Sequence, residues 1–184
     1  MLINIITVKI KYEQDVVLAR QRARTIAGLL GFDNNDQTRI STAVSEIARN
    51  IYKYAGGGDI TFGIDGDKKP QVFIIICEDK GKGIENLDEI LEGNYKSTTG
   101  MGLGILGAKK LMDYFHIESK VGEGTKVVMG KTIPLESPFF DNINVQQIID
   151  ELLKEIPKDP LEEIRQQNQE LIKAYEELAK NRKS

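Results

Sequence analysis

At 184 residues the chain can bury one substantial core with an appendage, and is too short for two domains of average size. Its residues are 40% hydrophobic and 29% charged, as in a globular protein, and a net charge of −3 gives no general attraction to nucleic acid or anionic membranes. One cysteine, Cys77, excludes a disulfide framework or a cysteine metal cluster within one chain and points to a reducing cytoplasm.

The apolar runs are too short for a membrane-spanning helix. Met1 leads into an alternating segment without a basic stretch, so no signal peptide is expected. Residues 3–11 read as a strand, dominated by β-branched side chains. A helix follows with Asp15 as its expected cap, running to about Leu30 with Gly31 closing it. Val16, Ala19, Ala23, Ile26, Ala27 and Leu30 form its inner face. Arg20, Arg22 and Arg24 are expected on its outside, as a solvated basic face or, for Arg20, a partner contact.

A second helix is predicted over residues 36–54, with Asp36 as N-cap. Ile40, Val44, Ile47, Ile51 and Tyr54 alternate at spacings of three and four and make one apolar stripe. Glu46 and Asn50 lie one turn apart off that stripe. A carboxylate and an amide so placed suit Mg²⁺ coordination and hydroxyl activation, although an ordinary amphipathic helix would look the same. Gly56-Gly57-Gly58 ends the helix.

Strands are expected over 59–65 and 72–78, the second apolar at every position as a central strand covered on both faces would be. Residues 85–99 are polar, weakly periodic and long for a connection, which suggests a lid. Helical spacing resumes with Leu106, Leu111 and Phe115, and strands over 115–121 and 125–133 follow around Gly122-Glu123-Gly124. This order predicts an α+β, two-layer sandwich with helices on one face of a mixed, mostly antiparallel sheet. Pro134 and Pro138 mark a boundary, and residues 144–156 form a short amphipathic helix. Leu161, Ile164, Asn168, Leu171, Tyr175 and Leu178 then follow a heptad seam, read as a coiled-coil-like extension or as one helix folded back on the domain. The expected organisation is therefore a domain over 1–133, a linker with a short helix over 134–160 and a helix over 161–184.

Two glycine motifs compete for the chemistry. Gly102-Leu-Gly104-Ile-Leu-Gly107 has the dinucleotide-binding spacing, but it follows a polar segment rather than a buried strand and opens no parallel crossover. The alternative uses more residues together. Asp79-x-Gly81-x-Gly83 places a carboxylate at the end of a buried strand beside a turn that admits a flat ligand. A carboxylate accepts hydrogen bonds without donating them, so it selects the amine of adenine over the carbonyl of guanine. Gly100, Gly102 and Gly104 offer backbone N–H groups at a helix N-terminus, a seat for phosphates.

The stretches SEIARNIYKYAG, EDKGKGI, TTGMGLGILGAKKLMDYF and VGEGTKV resemble, in order, the N box, the two glycine boxes and the closing strand pair of the GHKL ATP-binding superfamily. Within it they look most like the anti-sigma-factor serine/threonine kinases of the RsbT-type switch-kinase branch, over residues 3–133. The resemblance implies ATP and Mg²⁺ as cofactors, Asn50 as metal ligand and Glu46 as general base. Asp79 would read adenine, with Gly81, Gly83 and Ile84 shaping its pocket and Thr125 supporting it. Gly100, Met101, Gly102, Leu103 and Gly104 would lie on the phosphate side, with Lys53, Lys96, Ser97 and Thr98 as further phosphate contacts.

Arg49 fits the branch's signature, without a derivable role. The implied function is phosphorylation of a STAS-domain antagonist or sigma-factor regulator. The alternative is a nucleotide-gated partner-binding module, or an ATP-binding sensor domain of a larger signalling protein, without transfer activity of its own. A homodimer through the C-terminal helix, no nucleic acid, no membrane insertion and a cytoplasmic location complete the expectation. No histidine falls in the heptads and His116 begins a strand, so a self-phosphorylating histidine-kinase core is not expected.

Overall fold

The computed structural model describes residues 1–85, 87–92, 101–155 and 160–182. Five strands, β1 (Leu2–Ile10), β2 (Gly58–Asp65), β3 (Val72–Asp79), β4 (Tyr114–Lys120) and β5 (Gly124–Thr132), form one sheet in the order β1-β2-β3-β5-β4. Every neighbouring pair is antiparallel. The helices are α1 (Glu13–Leu29), α2 (Asn34–Asn50), the short α3 (Leu87–Leu91), α4 (Met101–Leu111), α5 (Asn142–Lys154) and α6 (Pro160–Arg182). The α+β architecture expected from the order of elements is the one observed. Among the described residues no helix is long and apolar enough to cross a membrane.

The core lies between one face of the sheet and the helices. Phe73, Ile75 and Cys77 of β3 bury there beside Ile60, Phe62 and Ile64 of β2 and Val127 and Met129 of β5. Full burial of such side chains contributes about 1.5–3 kcal/mol each. On the opposite face of β3, Val72, Ile74 and Ile76 are only half-buried, so the strand is covered on one face rather than two. Its apolar run persists there because Ile74 faces Gly63 and Gly130 across the two ladders, and the absent side chains leave room for the isoleucine to spread. A methyl group at Gly130 would come within 2.9 Å of Val72 and 3.3 Å of Ile74.

Both expected helix caps shift to an earlier residue. α1 begins after Tyr12, and Asp15 occupies its first turn, where Oδ2 accepts from the backbone N–H of Lys11 and Tyr12 at 2.9 and 2.8 Å. α2 is capped by Asp33, whose side chain accepts from Asp36 N at 2.8 Å. In each case an acidic residue three positions into the helix satisfies the sequence signature of a cap as well as the cap itself does. α2 then passes directly into a π-helical turn, Ile51–Ala55, which Gly56 closes in the left-handed region at φ 74°.

The C-terminal extension packs closely on the body. Gln71 binds Phe140 reciprocally, donating from Nε2 to its carbonyl at 3.0 Å and accepting its N–H at 2.8 Å, both in buried surroundings. This clasp brings α5 against β1 and α1, where Val145, Ile148 and Leu152 are buried. The outer face of α1 is therefore covered rather than solvated as expected. Arg22 donates to the Leu152 carbonyl at 2.7 Å, while Gln21 and Thr25 hold Glu155 at 2.7 and 2.8 Å. Arg20 is buried at 5% exposure. In α6 the described seam residues Leu171, Tyr175 and Leu178 are 55%, 69% and 58% exposed, and Asn168 is exposed too. The side chains of Leu161 and Ile164 lie outside the described residues.

Candidate active site

A largely apolar cleft opens between α2, α4 and the ends of β3, β4 and β5. Ile47, Asn50, Ile51 and Tyr54 line it from the helical side, and Cys77, Asp79 and Thr125 from the sheet. The π-helical turn explains how one helix supplies so much of the wall. Its wider winding keeps both Tyr54 and Ala55 on the cleft side after Ile51. The apolar stripe read from sequence is thus core at Ile40 and Val44 and binding surface further on, at Ile47, Ile51 and Tyr54.

Asp79 ends β3, with Gly58 and Thr125 as its cross-strand partners. Burial raises its pKa above the ordinary 3.8, and backbone hydrogen bonds from Gly81 and Thr125 oppose that shift more weakly. Gly81 N donates to Oδ1 at 2.9 Å, which fixes the carboxylate's orientation. Thr125 supports Asp79 through its backbone, while its hydroxyl pairs with Ser119 Oγ at 2.8 Å.

Ser119 is a part of the site that the sequence reading missed. Its Oγ also accepts from Ile84 N at 2.8 Å, and Gly122 N donates to the Lys82 carbonyl at 2.7 Å, so the glycine turn is tied to the β4–β5 hairpin at two points. Gly83 is required there: at φ 76° it lies in the left-handed region, and a methyl group would overlap the Lys120 carbonyl. The signal for Ser119 was available in the hairpin register, which sets it opposite Thr125. Lys82, also overlooked, lines the cleft with an exposed cationic side chain. Cys77 lines it as well, but burial first, then the charges of Asp79 and Glu78, push its thiol pKa far up and leave it unreactive.

Glu46 and Asn50 meet α4 at Gly104. A methyl group built at Gly104 would lie 3.0 Å from Glu46 Oε2 and 3.5 Å from both amide atoms of Asn50. The second glycine box therefore touches the N box by direct approach of backbone to the carboxylate. Substituting Gly104→Ala is expected to displace the Glu46 side chain and cut kcat for transfer roughly tenfold or more, with a fold unchanged by circular dichroism. Arg49 lies one turn along from Glu46 and holds Oε1 at 3.3 Å. This ion pair ties Arg49 to the carboxylate that meets Gly104.

Gly102 is buried, Leu103 is 66% exposed, and Ile84 and Ile105 line the cleft. Lys53 points elsewhere, to a groove lined also by Glu13, Arg20 and Tyr52. Lys96, Ser97, Thr98, Gly100 and the Met101 side chain lie outside the described residues, as does most of the expected lid.

The cleft accommodates ATP in chemical terms: an apolar slot, a half-buried acceptor at its sheet end, and glycine backbone at the start of α4. Glu46 and Asn50 offer a cation few protein donors, which suits an ion held mainly by phosphate oxygens and water.

Comparison with known proteins converges on the same reading. Residues 35–137 match the family model described as histidine kinase-, DNA gyrase B- and HSP90-like ATPase. The chain is 45% identical over 120 residues to the serine/threonine-protein kinase RsbT of Bacillus subtilis, covering 65% of this chain and 90% of that protein. It is 31% identical over 127 residues to the anti-sigma F factor of Clostridium kluyveri, covering 66% and 89% respectively. The chain belongs to the histidine kinase-, DNA gyrase B- and HSP90-like ATPase family, in the branch of serine/threonine kinases and anti-sigma factors.

Proposed function

We propose that this chain is a switch kinase that transfers the γ-phosphoryl group of ATP, with Mg²⁺, to a serine or threonine of a STAS-domain regulatory partner. The observation that carries the reading is the position of Glu46. It touches Gly104 on the nucleotide side and lines a second groove, between α2 and α6 with Arg20 of α1 at its floor, on the other. A base between two openings can take a proton from a hydroxyl that enters opposite the phosphate, as in-line transfer requires.

Asp79 selects adenine through its carboxylate, and Asn50 with Glu46 faces the phosphate end. Mg²⁺ held at Asn50 would neutralise charge on the phosphates. Glu46 accepts the hydroxyl proton, and Arg49 keeps its carboxylate turned to that task. The exposed seam of α6 supports self-association through that helix, and Cys77 suits a cytoplasmic setting.

A second reading, for which the anti-sigma F factor relatives supply a kind of partner, is that nucleotide gates the capture of that partner without transfer. Incubating the protein with γ-labelled ATP and a STAS-domain protein separates the two. The kinase reading expects label on one serine or threonine of the partner. Nucleotide-dependent complex formation with no label would instead establish the binding module.

A further inference from the structure

The groove on the far side of Glu46 has α6 as one of its walls. Gln167, Glu170 and Ala174 of α6 face Arg20, Thr42 and Glu46 across it. Their spacing of three and four places them on one side of the helix. Glu170 bridges two arginines of α1, with Arg20 Nη2 at 3.1 Å and Arg24 Nη1 at 3.3 Å. Gln167, with its amide oxygen turned inward, accepts from Arg20 Nε and Nη1 at 3.1 and 3.2 Å. The Arg20 side chain, 6% exposed, is thus buried beneath α6 with its charge matched.

This attachment differs in kind from that of α5. α5 inserts Val145, Ile148 and Leu152 into the core, whereas the described part of α6 lines the groove with Gln167, Glu170, Ala174 and a Leu171 that stays 55% exposed. The apolar residues Leu171, Ile172, Tyr175 and Leu178 remain more than half exposed. Arg24 and Glu170 are 36% and 34% exposed, so that pair is weak, whereas Arg20 is buried and needs a carboxylate against it, from α6 or from a competitor. The helix also lies beyond the family model, which ends at residue 137.

We propose that α6 is a displaceable occupant of the surface by which a protein substrate reaches Glu46, and that the displacing partner presents an acidic helical segment to Arg20 and Arg24. The inference rests on the kinase reading of the site. It makes the approach of the protein, rather than of ATP, the regulated step. With α6 seated in nine molecules of ten, the apparent affinity for the partner falls about tenfold, which is about 1.4 kcal/mol.

Two measurements on the full chain test it. Thr42→Cys places a thiol in the groove, while buried Cys77 stays silent to a maleimide. Adding Glu170→Lys, or the milder Glu170→Gln, is expected to speed alkylation of that thiol about tenfold. In the chain with its native Thr42, the same Glu170 changes lower KM for the protein partner by a similar factor and leave KM for ATP unchanged. Unchanged alkylation in both variants would overturn the seating of α6. Faster alkylation with an unaltered KM for the partner would show that the groove is not the route of entry. Absence of transfer from every form would count against the kinase reading itself, and alkylation would still decide whether α6 covers the groove.

Discussion

Glu46→Gln abolishes most phosphoryl transfer, by about 10²–10⁴-fold in single-turnover rate, while leaving ATP affinity within about twofold. The substitution keeps the side chain's shape beside Gly104, so the cleft wall is unchanged. What it removes is the acceptor for the hydroxyl proton. Asn50, Asp79 and the apolar walls of the proposed nucleotide cleft are untouched. The measurement is quenched-flow transfer with calorimetry of ATP binding on the same preparation. Equal losses of binding and transfer would mean that Glu46 holds the nucleotide rather than the proton.

Asp79→Asn acts in the opposite sense. ATP affinity is expected to fall roughly 100-fold, because the amide turns a donor toward the adenine amine where the carboxylate offered an acceptor. The folded protein gains stability at neutral pH through the same change. Asp79 has its pKa raised by burial, so its protonated form is the one the fold favours. Its stabilising contribution is therefore complete below the ordinary value of 3.8 and is lost as the pH rises through the raised folded value. At pH 7 the protein carries the full cost of the ionised group, which asparagine relieves. Thermal unfolding should show Asp79→Asn melting above the parent at pH 7, with the gap closing toward pH 4. ATP affinity in the parent should decline as the pH falls through the same folded value, since adenine requires the ionised acceptor.

This opposition between binding and stability bears on why the site could be read from sequence. Asp79 breaks the pattern of β3: after Phe73, Ile75 and Cys77, the next inward position is a carboxylate with a glycine turn behind it. A residue that costs the fold energy at the end of its central strand points to a ligand. Glu46 and Asn50 gave a weaker local signal, since their spacing fits any amphipathic helix, and the boxes around them in order supplied the rest.

What the sequence left open was set by tertiary approach. The contact of Gly104 with Glu46 depends on how closely α4 crosses α2, and the π-helical turn that opens the cleft wall at Tyr54 leaves no mark in an apolar stripe. Lys53 is a phosphate contact only by the family resemblance, whereas in the structure it lines a different groove. The arginines of α1 looked like a solvated face because their partners, Glu155 and Glu170, lie more than a hundred residues along the chain. Asp15 and Asp36 looked like caps because each belongs to the first turn it helps to close.

The central claim is that α2 divides two substrates, with nucleotide against Asp79 and Asn50 and the acceptor hydroxyl reaching Glu46 from the α1 side. A crystal structure with Mg²⁺ and a non-hydrolysable ATP analogue tests it most directly. The account predicts the adenine amine on the Asp79 carboxylate, the metal on Asn50, and the γ-phosphate facing Glu46 across the start of α4. A nucleotide seated with its phosphates away from Glu46, or an adenine that leaves Asp79 untouched, would contradict it.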